Sequence, residues 1–226
     1  MECAITRPTF GASCASWAGV ASDLAGEQWS ATRRRSGIGS GTAGRSLKKA
    51  LCERRTIVFV DESGLSERPH RVRTWAPPGQ TPVLQYYFNW KVLSAAAGIT
   101  WWTFYFRLYP DTIRAAEAVD FLGRLLRHLS GKLLVVWDRS KVHRSRLVGE
   151  FVASQQGRLA LDYLPAYAPE LNPVEYIWGY WKHHELPNFC PHDFAQLSYQ
   201  ARRALRRMRR RPRLVRSFWR QAQLAL

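Results

Sequence analysis

Three carboxylates carry the chemistry open to this sequence: Asp61, Asp138 and Glu175. Each aspartate closes a short apolar run of the kind that forms a buried strand, TIVFVD at 56–61 and KLLVVWD at 132–138. Glu175 instead opens a helix. Asn172 suits an N-cap, Pro173 suits the first helical position, and Trp178, Trp181 and Lys182 follow at helical spacing. Acids delivered by two strand ends and a helix start can build an oxygen-donor site for magnesium, which takes few protein carboxylates and leaves room for phosphate. Two such ions activate a water or hydroxyl and stabilise a leaving oxygen in phosphoryl transfer. Each acid also has a purely structural reading. Asn172-x-x-Glu175 is a capping box, in which the glutamate returns to the N-cap amide, and an aspartate ending a strand often forms a turn. Glu62 is the substitute for Asp61, although on an extended chain it points to the opposite side. Asp162, near another strand end, reads as a surface charge.

Hydrophobic pattern supplies the elements that must position these acids. Glu62-Ser63-Gly64 leave the first strand, and RTWAPPG at 73–79 is a turn-rich connection. Trp75 there reads as an anchor of the connection to the core, with stacking on a base as the alternative. Two apolar segments, 91–97 and 103–108, meet near Gly98 as a hairpin and complete a three-stranded antiparallel meander. Apolar residues at Ala116, Val119, Leu122, Leu125, Leu126 and Leu129 lie on one face of a helix over 113–129, which Gly131 ends. The run 133–137 is continuously apolar, as a strand buried on both faces and added parallel after a helical crossover would be. A second helix at 145–156 leads through Gly157 to a fifth strand at 159–163. Three strands, helix, strand, helix, strand and helix is the order of an α/β RNase H-like fold, a mixed five-stranded sheet flanked by helices. In that layout the first and fourth strand ends lie side by side, so Asp61 and Asp138 face one another. Two unneutralised carboxylates at close range disfavour joint ionisation, and a divalent cation removes the conflict.

The partner is set by composition. The chain has 226 residues, 46% hydrophobic and 13% aromatic, enough for one sizeable core. Its net charge is +17, from 34 Lys and Arg against 17 Asp and Glu, which predicts attraction to a polyanion, nucleic acid ahead of a membrane surface. After Asp193 there are no acids at all, while Arg202, Arg203, Arg206, Arg207 and Arg210 fall along a segment whose apolar stripe packs on the body and leaves them outward. These arginines and Lys182 are the candidate DNA contacts. A charge run can also be a plain solvated face, but no acid balances this one. Cys3, Cys14, Cys52 and Cys190 form no CxxC pair, and the six histidines form no ligand motif, with His183-His184 read as a polar face. No run is long enough to span a bilayer, and Met1-Glu2-Cys3 opens no basic, then apolar, leader, so the protein is expected in the cytoplasm, away from membrane.

Three segments carry a family resemblance. VFVDESG around Asp61, VVWDRSKVHRS around Asp138 and LPAYAPELNPVEYIWGYWK around Glu175 resemble, in order and spacing, the DDE-type transposases of bacterial insertion sequences in the mariner-like superfamily. The 37 positions from Asp138 to Glu175 are close to what that group shows between its second and third acids. The resemblance covers roughly residues 47–210, and the third motif is its most specific part. It implies the RNase H-like fold and a catalytic, metal-binding role for Asp61, Asp138 and Glu175 with two Mg2+ ions, replaceable by Mn2+. It further implies cleavage of element ends, attack of a 3′ hydroxyl on target DNA, and a homodimer when two ends are synapsed. Asp61 rather than Glu62 occupies the family's acid position. Many relatives have asparagine after the second aspartate where this chain has Arg139, so that amide role is absent or falls to Ser140. His143 stands where relatives carry histidine, and both a contact to substrate phosphate and a packing role after the strand are open to it. Tyr167, Pro169 and Asn172 shape the loop that presents Glu175.

Residues 1–46 are rich in Ala, Gly, Ser, Thr and Arg without sustained periodicity and are expected to be disordered. Residues 47–190 form the expected catalytic domain and 191–226 a basic helical C-terminal extension. The family carries helix-turn-helix modules ahead of its catalytic domain, and 1–46 shows no such helix pair. The expectation is that the coding frame departs from the family's until about residue 47, which would leave end recognition to a separate helix-turn-helix polypeptide. The rival to an active transposase is a catalytically inactive remnant that binds DNA without sequence preference.

Overall fold

In the computed structural model the described residues are 47, 49–50, 52–86, 91–165, 169–222 and 224. The segment 1–46 and Tyr167 lie outside them. Five strands, β1 (Thr56–Ser66), β2 (Val92–Ile99), β3 (Phe104–Tyr109), β4 (Leu133–Trp137) and β5 (Leu159–Tyr163), form one sheet in the order β3-β2-β1-β4-β5. The meander β1-β2-β3 is antiparallel, and β4 and β5 add parallel to it after helical crossovers. This is a mixed sheet of the RNase H-like kind.

β4 and β5 have the bounds that their apolar runs imply: β4 lies between β1 and β5 and is buried throughout, while β5 closes the sheet as its edge strand. β1 does not stop at Asp61. It continues through Glu62, Ser63 and Gly64 to Ser66, paired with β2 as far as Val92. Its parallel pairing with β4 ends at Phe59–Val136, so beyond that point only β2 flanks it and polar residues are tolerated. Gly98 likewise is not the hairpin turn but an interior residue of β2. A side chain there would meet Val58 Cγ1 at 3.0 Å and Leu125 Cδ2 at 3.4 Å, so glycine lets a helix approach the strand closely. The turn itself lies at 100–103, where the Thr100 N–H and hydroxyl both donate to the Thr103 carbonyl, at 2.8 and 2.9 Å.

Helices cover both faces. α1 (Ala115–His128) and α2 (Arg146–Ser154) pack on the face carrying Val58, Val60, Leu133, Val135 and Trp137. α3 (Pro173–Tyr180), continued by a π turn at Trp181–Glu185, packs with α4 (Phe194–Arg209) and α5 (Pro212–Gln221) on the face carrying Phe59, Ala95, Ala97, Leu134 and Val136. Strand alternation decides which neighbour each side chain meets. Pro212 separates the last two helices, as its missing N–H requires. Trp219 of α5 lies edge-on to Phe59, centroids 5.4 Å apart, and donates its indole N–H to the Thr100 carbonyl at 3.1 Å. The C-terminal helices therefore share the sheet's core.

Candidate active site

Asp61 stands in β1 two residues past the Phe59–Val136 pair, and Asp138 stands two past the same pair on β4. The matched parallel register therefore carries the two acids to neighbouring positions at one end of the sheet. Asp61 faces α3, where its Oδ2 accepts the indole N–H of Trp178 at 2.9 Å. Burial first, then the charges of Glu175 and Glu62, push its carboxyl up to about 8, against the Trp178 hydrogen bond, which lowers it.

Glu175 lies in the first turn of α3. The helix is capped without it: the Asn172 side-chain oxygen accepts from the Val174 N–H at 3.2 Å, and the Asn172 N–H donates to the Pro169 carbonyl at 2.9 Å. The capping-box reading of Glu175 is thereby overturned, since the amide it would serve is already engaged. Asn172, 2% exposed, also donates from Nδ2 to the Val60 carbonyl at 3.4 Å and so ties this helix start to β1 beside Asp61. Burial and the charge of Asp138 raise the Glu175 carboxyl, while Lys182 lowers it. Lys182 is half-buried in the π turn. Burial lowers its ammonium, and attraction to Glu175 and Asp61 opposes that. It is thus a counter-charge inside the site as well as a candidate DNA contact.

Asp138 is exposed and held from one side. Its Oδ1 accepts from the Ser140 N–H at 3.0 Å and bonds His143 Nδ1 in a short contact. The His143 bond, against partial burial and aided by Ser140, holds the carboxyl below the usual range. His143 is 2% exposed, stacks on Trp137 with centroids 3.7 Å apart, and presents Nε2 to Glu62 Oε2 at 3.0 Å. Burial alone would lower the imidazole, but the bonds to Asp138 and Glu62 raise it to about 9. Buried and with both ring nitrogens engaged, His143 packs and hydrogen-bonds within the fold at this site. Glu62 does point away from Asp61, as strand alternation requires, yet it joins the site through His143. Nothing in the sequence marks that link, because 81 positions separate the two residues.

Glu175 lies between the aspartates electrostatically, raising Asp61 and being raised by Asp138, although among the described residues no three Asp, Glu, His or Cys side chains are gathered tightly enough to ligate a single ion. Magnesium does not demand such a cage: it binds through one or two carboxylates together with substrate phosphate and water. All-oxygen donors and crowded negative charge fit a hard divalent cation.

Outside the acids, Arg202, Arg203, Arg206 and Arg210 project outward from α4 and its C-cap, and no ion pair among the described residues involves them. Arg207 is different: its Nε donates to Glu185 Oε2 at 2.7 Å, so its charge is largely answered. Trp75 is 99% exposed, which corrects the expectation of a core anchor. The connection is pinned earlier, where the Asn188 side chain bonds both the N–H and the carbonyl of Val72, at 2.8 and 2.9 Å. Beyond that clasp, no bond among the described residues draws the tryptophan inward. His183 meets His70 at 3.2 Å between Nε2 atoms rather than standing in a plain polar face. Asp162 is half-buried in β5 and bonds the N–H of Tyr163 at 2.8 Å, a local role.

No curated protein sequence matches the chain. Among solved structures, it is similar to Mos1 transposase in a paired-end complex with the left transposon end, at 14% identity and a TM-score of 0.56, covering 99% of this chain and 78% of that one. A Mos1 mariner paired-end complex with Mn gives 14% identity and 0.58 with the same coverage. The catalytic domain of Mos1 mariner transposase gives 16% and 0.53, covering 79% of this chain and 80% of that one. At such identities the likeness speaks for the fold. The family model for the DDE superfamily endonucleases matches residues 56–197. That span opens at the first residue of β1 and closes inside α4, taking in every element that carries Asp61, Asp138 and Glu175, and the chain accordingly belongs to the DDE superfamily endonucleases.

Proposed function

We propose that this chain is the catalytic domain of a DNA transposase that cuts strands at the ends of a mobile element and joins the freed 3′ hydroxyl to target DNA. The observation carrying this reading is geometric: the β1–β4 register sets Asp61 beside Asp138, and the bonds from Asn172 to Val60 and from Trp178 to Asp61 tie the helix start bearing Glu175 to the same strand end. Asp61, Asp138 and Glu175 would hold two Mg2+ ions, replaceable by Mn2+. When bound, such ions lower the pKa of an attacking water or hydroxyl and stabilise the departing 3′ oxygen. Trp178 orients Asp61, and Lys182 offsets the negative charge near Glu175 where a phosphate must enter. Arg202, Arg203, Arg206 and Arg210 track the DNA backbone without reading sequence, with Arg207 a lesser contributor.

The reaction joins two ends, so two copies act together, and a separate helix-turn-helix polypeptide supplies end recognition. Among the described residues no helix is long and apolar enough to cross a membrane. The site of action is the DNA itself, in the cytoplasm at the nucleoid. A plasmid bearing the coding region and its flanking DNA, incubated with the protein and Mg2+ or Mn2+, tests the activity. Metal-dependent strand cleavage that Asp138→Asn abolishes is the expected result. Salt-sensitive DNA binding with no metal-dependent cleavage would instead establish the inactive remnant.

A further inference from the structure

Glu62 and His143 lie outside the acid triad, yet they determine how one of its members is presented. We infer that they act as a coupled positioning pair that fixes the Asp138 carboxylate for the cation, an inference resting on the proposal that Asp138 is a ligand. Asp138 follows the last residue of β4 and is exposed, so its side chain has no packing to orient it. What orients it is a chain of bonds. Glu62 Oε2 meets His143 Nε2 at 3.0 Å, His143 Nδ1 bonds Asp138 Oδ1, and the Ser140 N–H reaches the same oxygen at 3.0 Å.

The imidazole cannot turn freely. Its face stacks on Trp137 at 22° between planes, and its backbone is held by the Tyr163 hydroxyl, which donates to the His143 carbonyl at 3.3 Å, and by its own N–H on Ser140 Oγ at 3.4 Å. With both ring nitrogens engaged, His143 has no lone pair to offer a metal, and Glu62 points to the sheet face opposite Asp61. Both therefore act through Asp138 rather than on the cation. Partners of this kind orient ligating side chains, and their loss weakens metal affinity about 10–100-fold.

The test is Mn2+ binding by the full-length protein, read from the electron paramagnetic resonance of the free ion, alongside thermal melting. Glu62→Ala and His143→Gln should each weaken Mn2+ binding about 10–100-fold. Because the two residues work in series, the double variant should be no weaker than the worse single one. Glu62→Gln keeps the side chain's size and one accepting oxygen, and should fall between wild type and Glu62→Ala without lowering the melting temperature. If Glu62→Ala and Glu62→Gln both bind Mn2+ as wild type does while Asp138→Asn does not, the positioning pair is refuted and the acid triad stands. If Asp138→Asn itself binds Mn2+ normally, the triad assignment fails and the pair with it. Additive losses in the double variant would make Glu62 an independent ligand, which also overturns the inference.

Discussion

Trp178 donates its indole N–H to Asp61 from 117 positions away, and that bond, with a lesser one from the Glu62 backbone, opposes the burial and the neighbouring charges that raise the carboxyl. Trp178→Phe keeps the ring in the core and removes the donor. It should raise the Mg2+ concentration needed for half-maximal cleavage several-fold with little change in melting temperature, as a Mg2+ titration of plasmid cleavage would show. The acids were legible as types and positions because each ends a recognisable apolar run or opens a capped helix. Of their partners, His143 stood out five residues after Asp138, but its bond to Glu62 and the Trp178 bond to Asp61 did not, since both cross the fold and a tryptophan at helical spacing looks like ordinary core in one dimension. The absence of Glu175 from the helix cap was equally hidden, because it depends on where the Asn172 amide points.

β3 and α1 are clasped by Asp120, which accepts from the Tyr109 hydroxyl at 2.9 Å and from Arg124 Nε at 3.1 Å, and pairs with Arg107 at 2.9 Å. Burial pushes the Asp120 carboxyl up, but the bonds from Arg124 and Tyr109 and the charge of Arg107 carry it below its ordinary value. A carboxyl lowered on folding stabilises the fold above its unfolded pKa of about 3.9 and ceases to do so as pH falls through the folded value. Wild type should therefore melt above Asp120→Asn at neutral pH, and the gap should close as melting is followed into acid below that range. Gly98 supports a second prediction. With Val58 Cγ1 only 3.0 Å from a would-be Cβ, Gly98→Val should destabilise by about 1–3 kcal/mol through overpacking, read as a lower urea midpoint. The short parallel strands β4 and β5 had bounds visible in their apolar runs. The second half of β1 did not, because DESGLS is polar where only β2 flanks it, and Gly98 reads as a turn until the helix above it is seen.

For the whole molecule, charge and core are organised by the same two C-terminal helices. The outward arginines of α4 predict a DNA affinity dominated by phosphate contacts. Replacing Arg202, Arg203, Arg206 and Arg210 with serine should lower the slope of log affinity against log salt by about 3–4, whereas Arg207→Ser, already paired to Glu185, should change it by less than one. Fluorescence anisotropy of a labelled duplex at several salt concentrations measures both. The inward side is as consequential. Removing the indole in Trp219→Ala should cost about 3–5 kcal/mol, since it vacates a large core position and leaves the Thr100 carbonyl without its donor. Because that indole arrives so late in the polypeptide, the ribosome releases most of the sheet before its second face can be roofed. Phe59 and its neighbours must wait as exposed oily surface in the nascent chain, so a premature stop codon ahead of α5 would yield a product headed for proteases or aggregates rather than a slower enzyme.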